Sequence, residues 1–358
     1  MKDNLPEMLA DISDAGPVVI DTGTHRWRAG FATDELPKCV IQPSSQDIED
    51  SAKVVDGFVR EFHCENKALK YFSKHIKEVC ASLNVSPHGA NLLLSLPQRL
   101  SNEYRERLTE VIIEGLGAKS VFYVRQPLLA AYSSGVTKCM IVDSGYMNTG
   151  ILAVNELLPM EDSERVLPLG GRDVDRYLRH LCGHSLDSYN EAALDHIKKN
   201  YCSVCPGLPI KPKASVAAKR SILMPDGQRL LLGSELEAAP ELLFNPTLAG
   251  LQDLMPIDQA AIRAALALDQ NISFAVLETV VLTGGNTMFP GACERMQLGI
   301  ATRTVPRINK WVRYHPMGPL AVWVGGAAIA LTNTYSKICI RQEDYKEVGS
   351  NIASQRWL

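Results

Sequence analysis

Apolar and polar positions along this chain follow two rhythms, and their order predicts an α/β protein. Val18 to Ile20 is a short apolar run closed by Asp21. After it the chain turns through Gly23 and carries a second strand to Phe31, the pattern of a buried β-hairpin. The same grammar returns in "CMIVDSGYMNTGILAV" (Cys139 to Val154), with Asp143-Ser144-Gly145 at the turn. Between the two, "NKALKYFSKHIKEVCASL" (Asn66 to Leu83) has helical spacing, "ANLLLSL" (Ala90 to Leu96) reads as a buried strand, and "NEYRERLTEVIIEGLG" (Asn102 to Gly117) as an amphipathic helix ended by glycine. Downstream, helices are predicted from Gly170 and over Glu191 to Val204, and a hairpin around Pro225-Asp226-Gly227. Leu277 to Gly291 reads as a strand entering a Gly-Gly turn. Cys205 to Lys219, with Pro206, Pro209 and Pro212, reads as a loop. The apolar run Leu320 to Leu331 predicts a buried helix, well short of the roughly 20 residues that cross a bilayer.

Two acidic hairpins so far apart suit the two halves of a duplicated α/β domain, each turn facing the other with a ligand between them. The length of 358 residues, 46% of them hydrophobic, supports two packed lobes. A formal net charge of -3 with scattered Lys and Arg argues against a nucleic-acid or polybasic membrane surface. The first residues mix acids with apolar positions and lack a basic region and a long apolar stretch, so export is not expected. Nine cysteines, an odd number spread along the chain, predict free thiols in a reducing compartment.

A buried strand that ends in a carboxylate and turns through glycine often cradles a phosphate, although each glycine alone is equally explained by turn geometry. "HLCGH" (His180, Cys182, His184) followed by "CSVC" (Cys202, Cys205) permits a zinc site to be drawn. Cys202 falls in a stretch of helical spacing, which weighs against such a site.

With these pieces in order, the sequence resembles actin and the actin-related proteins. The resemblance runs from Val18 to Ile352 and is carried by "VVIDTGTHRWRAGFATDELPKCVIQPS", "AAYSSG", "IVDSG", "LPLGGRDVDRYL", "MPDGQRLLLG", "PELLFNP", "VLTGGNTMFPGACERMQ", "VWVGGAAIA" and "QEDYKEVGSNI". It implies the actin-like ATPase fold: two duplicated ribonuclease-H-like lobes around a nucleotide cleft. Residues 1–16 would be a flexible extension, 17–135 the first lobe, 136–322 the second, and 323–358 a segment returning to the first.

The resemblance implies ATP or ADP with magnesium as cofactor and no other metal, since it accounts for the Cys202 stretch without one. Thr22, Gly23 and Thr24 would form the first phosphate loop, and Ser144 and Gly145 would begin the second. Arg28 stands where the family has a phosphate-contacting lysine, and Asp21 and Asp143 would hold the metal through water. Gly171, Lys198, Gly284, Gly285, Thr287 and Met288 would border ribose and base, and Gln126 is the candidate for orienting attacking water.

The departures carry as much meaning. His25 replaces a glycine of the first loop, at a cost on the order of 1 kcal/mol if its φ is positive, unless the turn has another shape. The family's "DSGDG" reads "DSGYM", so Tyr146 and Met147 are expected to crowd the phosphates and the attacking water. Gly150 replaces a histidine that helps order that water, Lys199 an acidic ribose contact, and Pro319 a lysine beside the base. Slow or absent hydrolysis follows, because that step needs a placed group to orient the nucleophile.

The family's small second subdomain is largely deleted, since only "QDIEDSAK" separates Pro43-Ser44-Ser45 from "VVDGFVREF". Losing one of two complementary patches breaks open-ended head-to-tail growth. The reading is therefore a divergent cytoskeletal, cytoplasmic structural protein that does not form filaments alone. It would take protein partners, actin or actin-binding proteins, in the groove near Tyr132. The alternative is a nucleotide-switched ATPase subunit of a larger cytoskeletal or nuclear chromatin-remodelling complex.

Overall fold

Val18–Thr22 (β1) is buried at every position, which fits it only for the middle of a sheet covered on both faces. The computed structural model describes residues 16–44, 52–55, 58–62, 66–186, 189–207, 219–304 and 311–358. The chain forms two compact units, the first reaching to Gly135 and resuming over Leu320–Leu358, the second spanning Val136–Pro319. Most of the N-terminal extension, most of "QDIEDSAK" and most of the proline-containing loop lie outside the described residues.

In the first unit β1 pairs antiparallel with Trp27–Phe31 (β2), which pairs with Cys39–Ile41 (β3). On its other side β1 runs parallel to Asn91–Leu96 (β6), which is parallel to Ser120–Arg125 (β7), and the short strand Ile340–Arg341 closes that edge. Where the family's second subdomain would stand, the described residues hold one antiparallel hairpin, Ala52–Val55 (β4) with Phe58–Phe62 (β5). The predicted helices appear as Asn66–Ser82 and Asn102–Glu110. The second is shorter than expected, because Val111–Gly115 continues it as a wider π-helical turn that carries the consecutive Ile112 and Ile113 into the core.

The second unit repeats the plan. Lys138–Ser144 (β8) pairs antiparallel with Thr149–Asn155 (β9) and parallel with Thr279–Thr283 (β13). Leu158–Leu167 (β10) and Trp311–Tyr314 (β14) form the edges of its five-stranded sheet. The predicted Pro-Asp-Gly hairpin is present as Arg220–Leu223 (β11) with Arg229–Leu232 (β12). The two hairpins read from the sequence thus start two sheets of the same order, an antiparallel partner on one side and a parallel one on the other. The eight described cysteines are all free thiols.

The run read as a buried helix folds as Ala321–Ala330 and locks β1 in place. Its Trp323 indole N–H donates to the Val19 carbonyl at 3.2 Å, and its Ala321 carbonyl accepts from Ser133 Oγ at 2.7 Å, on the helix Gln126–Ser133. Contact this close requires glycine. A Cβ on Gly325 would lie 1.8 Å from the Leu129 carbonyl oxygen, and one on Gly326 2.7 Å from Val19 Cγ1.

Gly325→Ala must therefore push the helix off the sheet. We expect it to cost about 3 kcal/mol and to lower the melting temperature by about 5–10 °C, whereas Gly115→Ala, at a helical glycine with open space, is neutral or mildly stabilising. Thermal unfolding followed by circular dichroism decides it, and equal melting temperatures for the two variants would contradict the packing.

Candidate functional site

The first acidic turn is built by strand register. Asp21 lies opposite Arg28 in the β1/β2 hairpin and beside Ser95 on β6, so both neighbours share its face of the sheet. Arg28 Nη1 donates to Asp21 Oδ2 at 3.2 Å, and Ser95 Oγ donates to Oδ1 at 2.9 Å. Thr22 completes the network, its backbone N–H donating to Ser95 Oγ at 2.9 Å and its hydroxyl to the Ser95 carbonyl at 2.5 Å. Gln126 Nε2 points to the Ser95 hydroxyl oxygen at 3.5 Å. Burial raises the Asp21 pKa, while Arg28 and Ser95 pull it the other way.

The sequence reading placed Arg28 on phosphates, Asp21 on a metal's water shell and Gln126 on attacking water. In the structure the three side chains meet in one network with Ser95. The expected strain at His25 is absent, because His25 does not adopt a positive φ and the turn takes another shape. Gly23 is the residue this turn requires, since a Cβ there would lie 2.8 Å from the Arg26 carbonyl oxygen.

The second turn is closed upon itself as well. The Gly145 N–H donates to the Asn148 carbonyl at 2.9 Å, and Ser144 Oγ lies 2.9 Å from Thr149 Oγ1. Asn286, from the Gly-Gly turn after β13, places its amide on Ser144 Oγ at 3.2 Å and on the Gly145 carbonyl at 2.6 Å. Gly284 passes so close, at φ 86°, that a Cβ would meet the Ser144 carbonyl oxygen at 2.2 Å. Thr287 holds the same turn, its hydroxyl donating to the Gly284 carbonyl at 3.0 Å, while Gly285 has open space at its Cα. Met288 is half exposed, its sulfur beside Gly318. Asp143 pairs with Gly150 across its hairpin and with Thr283 on β13.

Tyr146 and Met147 part company. Met147 is buried, while Tyr146 is half-buried. The Tyr146 ring packs against Gly171, its Cδ2 3.4 Å from where a Cβ would stand, and the Lys198 ammonium lies 5.7 Å from the ring centroid. Lys198 is itself buried and ion-paired, with Nζ 2.9 Å from Asp175 Oδ1. Gly171 and Lys198, read from the sequence among the residues bordering ribose and base, thus meet the Tyr146 ring and the Asp175 carboxylate. Burial pushes the Tyr146 phenol well above its ordinary range, and the Asp175 and Glu191 carboxylates add to the shift.

Ser95, Asn286 and Asp175 are the partners that the sequence reading missed. Ser95 had one legible signal, a hydroxyl at the end of an otherwise apolar buried strand. Among the described residues no three His, Cys, Asp or Glu side chains gather into a metal cluster, and burial pushes the Cys202 thiol up to about 12.

The profile of the family described as Actin matches residues 12–357. The chain is 26% identical to the mouse (Mus musculus) protein named actin-like protein 9 over 95% of its own length and 88% of that protein's. It is 25% identical to centractin of Schizosaccharomyces pombe, over 98% of its own length and all of the relative's. The groups that the resemblance assigns to a nucleotide with magnesium have partners of their own. Both Asp21 oxygens, the Gly145 N–H and the Lys198 ammonium are already bonded within the chain.

The helix Gly171–Cys182 behind the second turn supplies a pH test. Asp173 Oδ2 accepts from the Gly170 N–H at 2.9 Å, and burial pushes its carboxyl up to about 6 from 3.8. The folded state therefore binds this proton more tightly than the unfolded chain, and the carboxyl's contribution to stability falls as pH rises from about 4 to about 6. Asp173→Asn keeps the cap and removes the titration. We expect the variant to gain on the order of 2–3 kcal/mol relative to wild type between pH 4 and pH 7 in urea unfolding. A pH-independent difference would refute the assignment.

Proposed function

Because this chain belongs to the actin family, we propose that it is a divergent structural subunit of the cytoskeleton with a degenerate nucleotide site and little or no ATP hydrolysis. The observation that carries the reading is the Tyr146 ring packed on Gly171 beside the Lys198–Asp175 pair. A ribose or phosphate placed there displaces a half-buried aromatic and breaks an ion pair, each a cost that binding must offset. Hydrolysis meets a second obstacle. The Gln126 amide is turned toward Ser95, and the position opposite Asp143 is Gly150, which has no side chain to hold water.

The short hairpin in place of the second subdomain supports a subunit that caps or joins an assembly and does not extend one. A chain with one of two complementary patches missing adds to an end and stops. Protein partners of the actin or actin-binding kind would use the surface near Tyr132, half-buried on the helix Gln126–Ser133.

Purified full-length protein is expected to release far less than one equivalent of nucleotide on denaturation and to liberate no phosphate from ATP over hours. The double variant Tyr146→Asp, Met147→Gly, which restores the family's acidic turn, is expected to retain ATP at least tenfold better, about 1.4 kcal/mol. Stoichiometric ADP in the wild-type preparation with measurable turnover favours the switched ATPase subunit instead. In magnesium and potassium salt the protein alone is expected to stay in the supernatant on ultracentrifugation. Sedimenting polymer seen as polar filaments by electron microscopy would overturn the capping role.

A further inference from the structure

Outside both turns, the helix Asn66–Ser82 and the helix Asn102–Glu110, with the π-helical turn that continues the second, flank a cavity of about 300 Å3. Its floor is apolar, made by the buried Leu69 and the half-buried Val111. Its rim is charged, with Lys70 and Arg107 as cations and Glu110 as the single carboxylate among the lining residues. Val111 reaches the cavity because the wider turn that begins with it sends Ile112 and Ile113 into the core, and such turns recur at functional sites.

The surface beside the cavity is cationic. Lys74 and Lys77 follow Lys70 at positions four and seven further on, so three exposed ammonium groups share one face of the helix. Three acids of the same elements are bonded elsewhere in the chain. Glu78 Oε2 lies 2.7 Å from His75 Nδ1, Glu106 accepts from Ser354 Oγ at 2.7 Å, and Glu114 accepts from the Tyr345 hydroxyl at 2.6 Å. Lys70 and Lys77 form no ion pair among the described residues.

We propose that this cavity is the docking site of an acidic helical segment of a protein partner, which inserts one large apolar side chain and sets its carboxylates against the lysines. Seven residues of helix rise about 10 Å, so a partner helix with carboxylates four and seven residues apart presents them at the spacing of Lys70, Lys74 and Lys77. A cavity at the lower end of ligand-site volumes holds a side chain. Its concave shape and the Glu110 carboxylate on its rim suit a protruding residue better than the plane of an anionic bilayer. The site shares no residue with the helix that carries Tyr132 and does not depend on the state of the nucleotide site, so it goes beyond the function proposed above.

The test is isothermal titration of the full chain with alanine-based helical peptides that carry glutamates four and seven residues apart and one phenylalanine scanned through the positions between them. At least one peptide is expected to bind saturably below about 0.5 mM, and its serine-for-phenylalanine control at least tenfold more weakly. The double variant Lys70→Glu, Lys77→Glu is expected to lose at least tenfold in affinity and to bind the matching lysine-for-glutamate peptide instead, a rescue that loss of fold cannot give. Ser73→Trp, which fills the cavity and leaves the charges, is expected to weaken binding at least tenfold. The proposal is overturned if no peptide of the set binds, if the charge reversal has no effect, or if Ser73→Trp binds as wild type does. It is also overturned if vesicles of phosphatidylcholine with phosphatidylserine bind more tightly than the best peptide and ignore Ser73→Trp, which makes the surface a membrane contact. A full chain carrying Asp3→Asn, Glu7→Gln and Asp11→Asn that binds the peptide at least tenfold tighter than wild type overturns it in another way, by making the chain's own acidic N-terminal sequence the occupant.

Discussion

A carboxylate at the end of a central, fully buried strand has to find a counter-charge, and the first unit is arranged around that need. β1 has little freedom to shift, with Ala321–Ala330 packed on one face through Gly325 and Gly326 and a sheet partner on each side. Asp21 is therefore fixed where β2 and β6 deliver Arg28 and Ser95. An uncompensated charge at this depth would cost several kcal/mol, far more than one hydrogen bond returns. The ion pair is thus a condition of folding the hairpin, and whatever the turn does chemically starts from it.

The second unit solves a different problem with the same backbone. Its turn is tied by Asn286 to the glycine turn after β13, and the Gly145 N–H and carbonyl are both bonded within the chain. Tyr146 lies over Gly171, and Lys198 is drawn into an ion pair with Asp175 on the helix that Gly171 begins. Loops that cradle phosphate depend on N–H groups and cations left unspent. In this chain the cations beside the two turns, Arg28 and Lys198, are ion-paired locally with Asp21 and Asp175.

Much of the frame was legible in the sequence because burial writes itself into periodicity. The two acidic hairpins, the strand Asn91–Leu96, the helix Asn66–Ser82 and the Pro-Asp-Gly hairpin all stand within a residue or two of where the apolar pattern put them. The π-helical turn at Val111–Gly115 was not legible, since one added residue per turn leaves the pattern amphipathic. The site was legible in composition and illegible in orientation. Asp21, Arg28 and Gln126 come together as grouped, but their mutual bonding depends on strand register and on Ser95, far away in sequence. Likewise nothing in "DSGYM" says that tyrosine turns toward Gly171 while methionine goes inside.

The glycines deserve a separate weighing, because they are what most invites a nucleotide-binding reading. A Cβ at Gly284 would lie 2.2 Å from the Ser144 carbonyl oxygen, and one at Gly170 2.5 Å from that of Tyr146. Both contacts are with backbone of the second turn, and neither involves a ligand. The frame therefore demands glycine at these places whether or not phosphate ever enters, and their presence testifies to the fold alone. Side chains that face the turns carry no such obligation, so they are where function leaves its record. There the register sets Arg28 against a buried Asp21 and Gly150 against a half-buried Asp143, so the two halves of one duplicated plan differ in the depth of the acid as well as in its cross-strand partner.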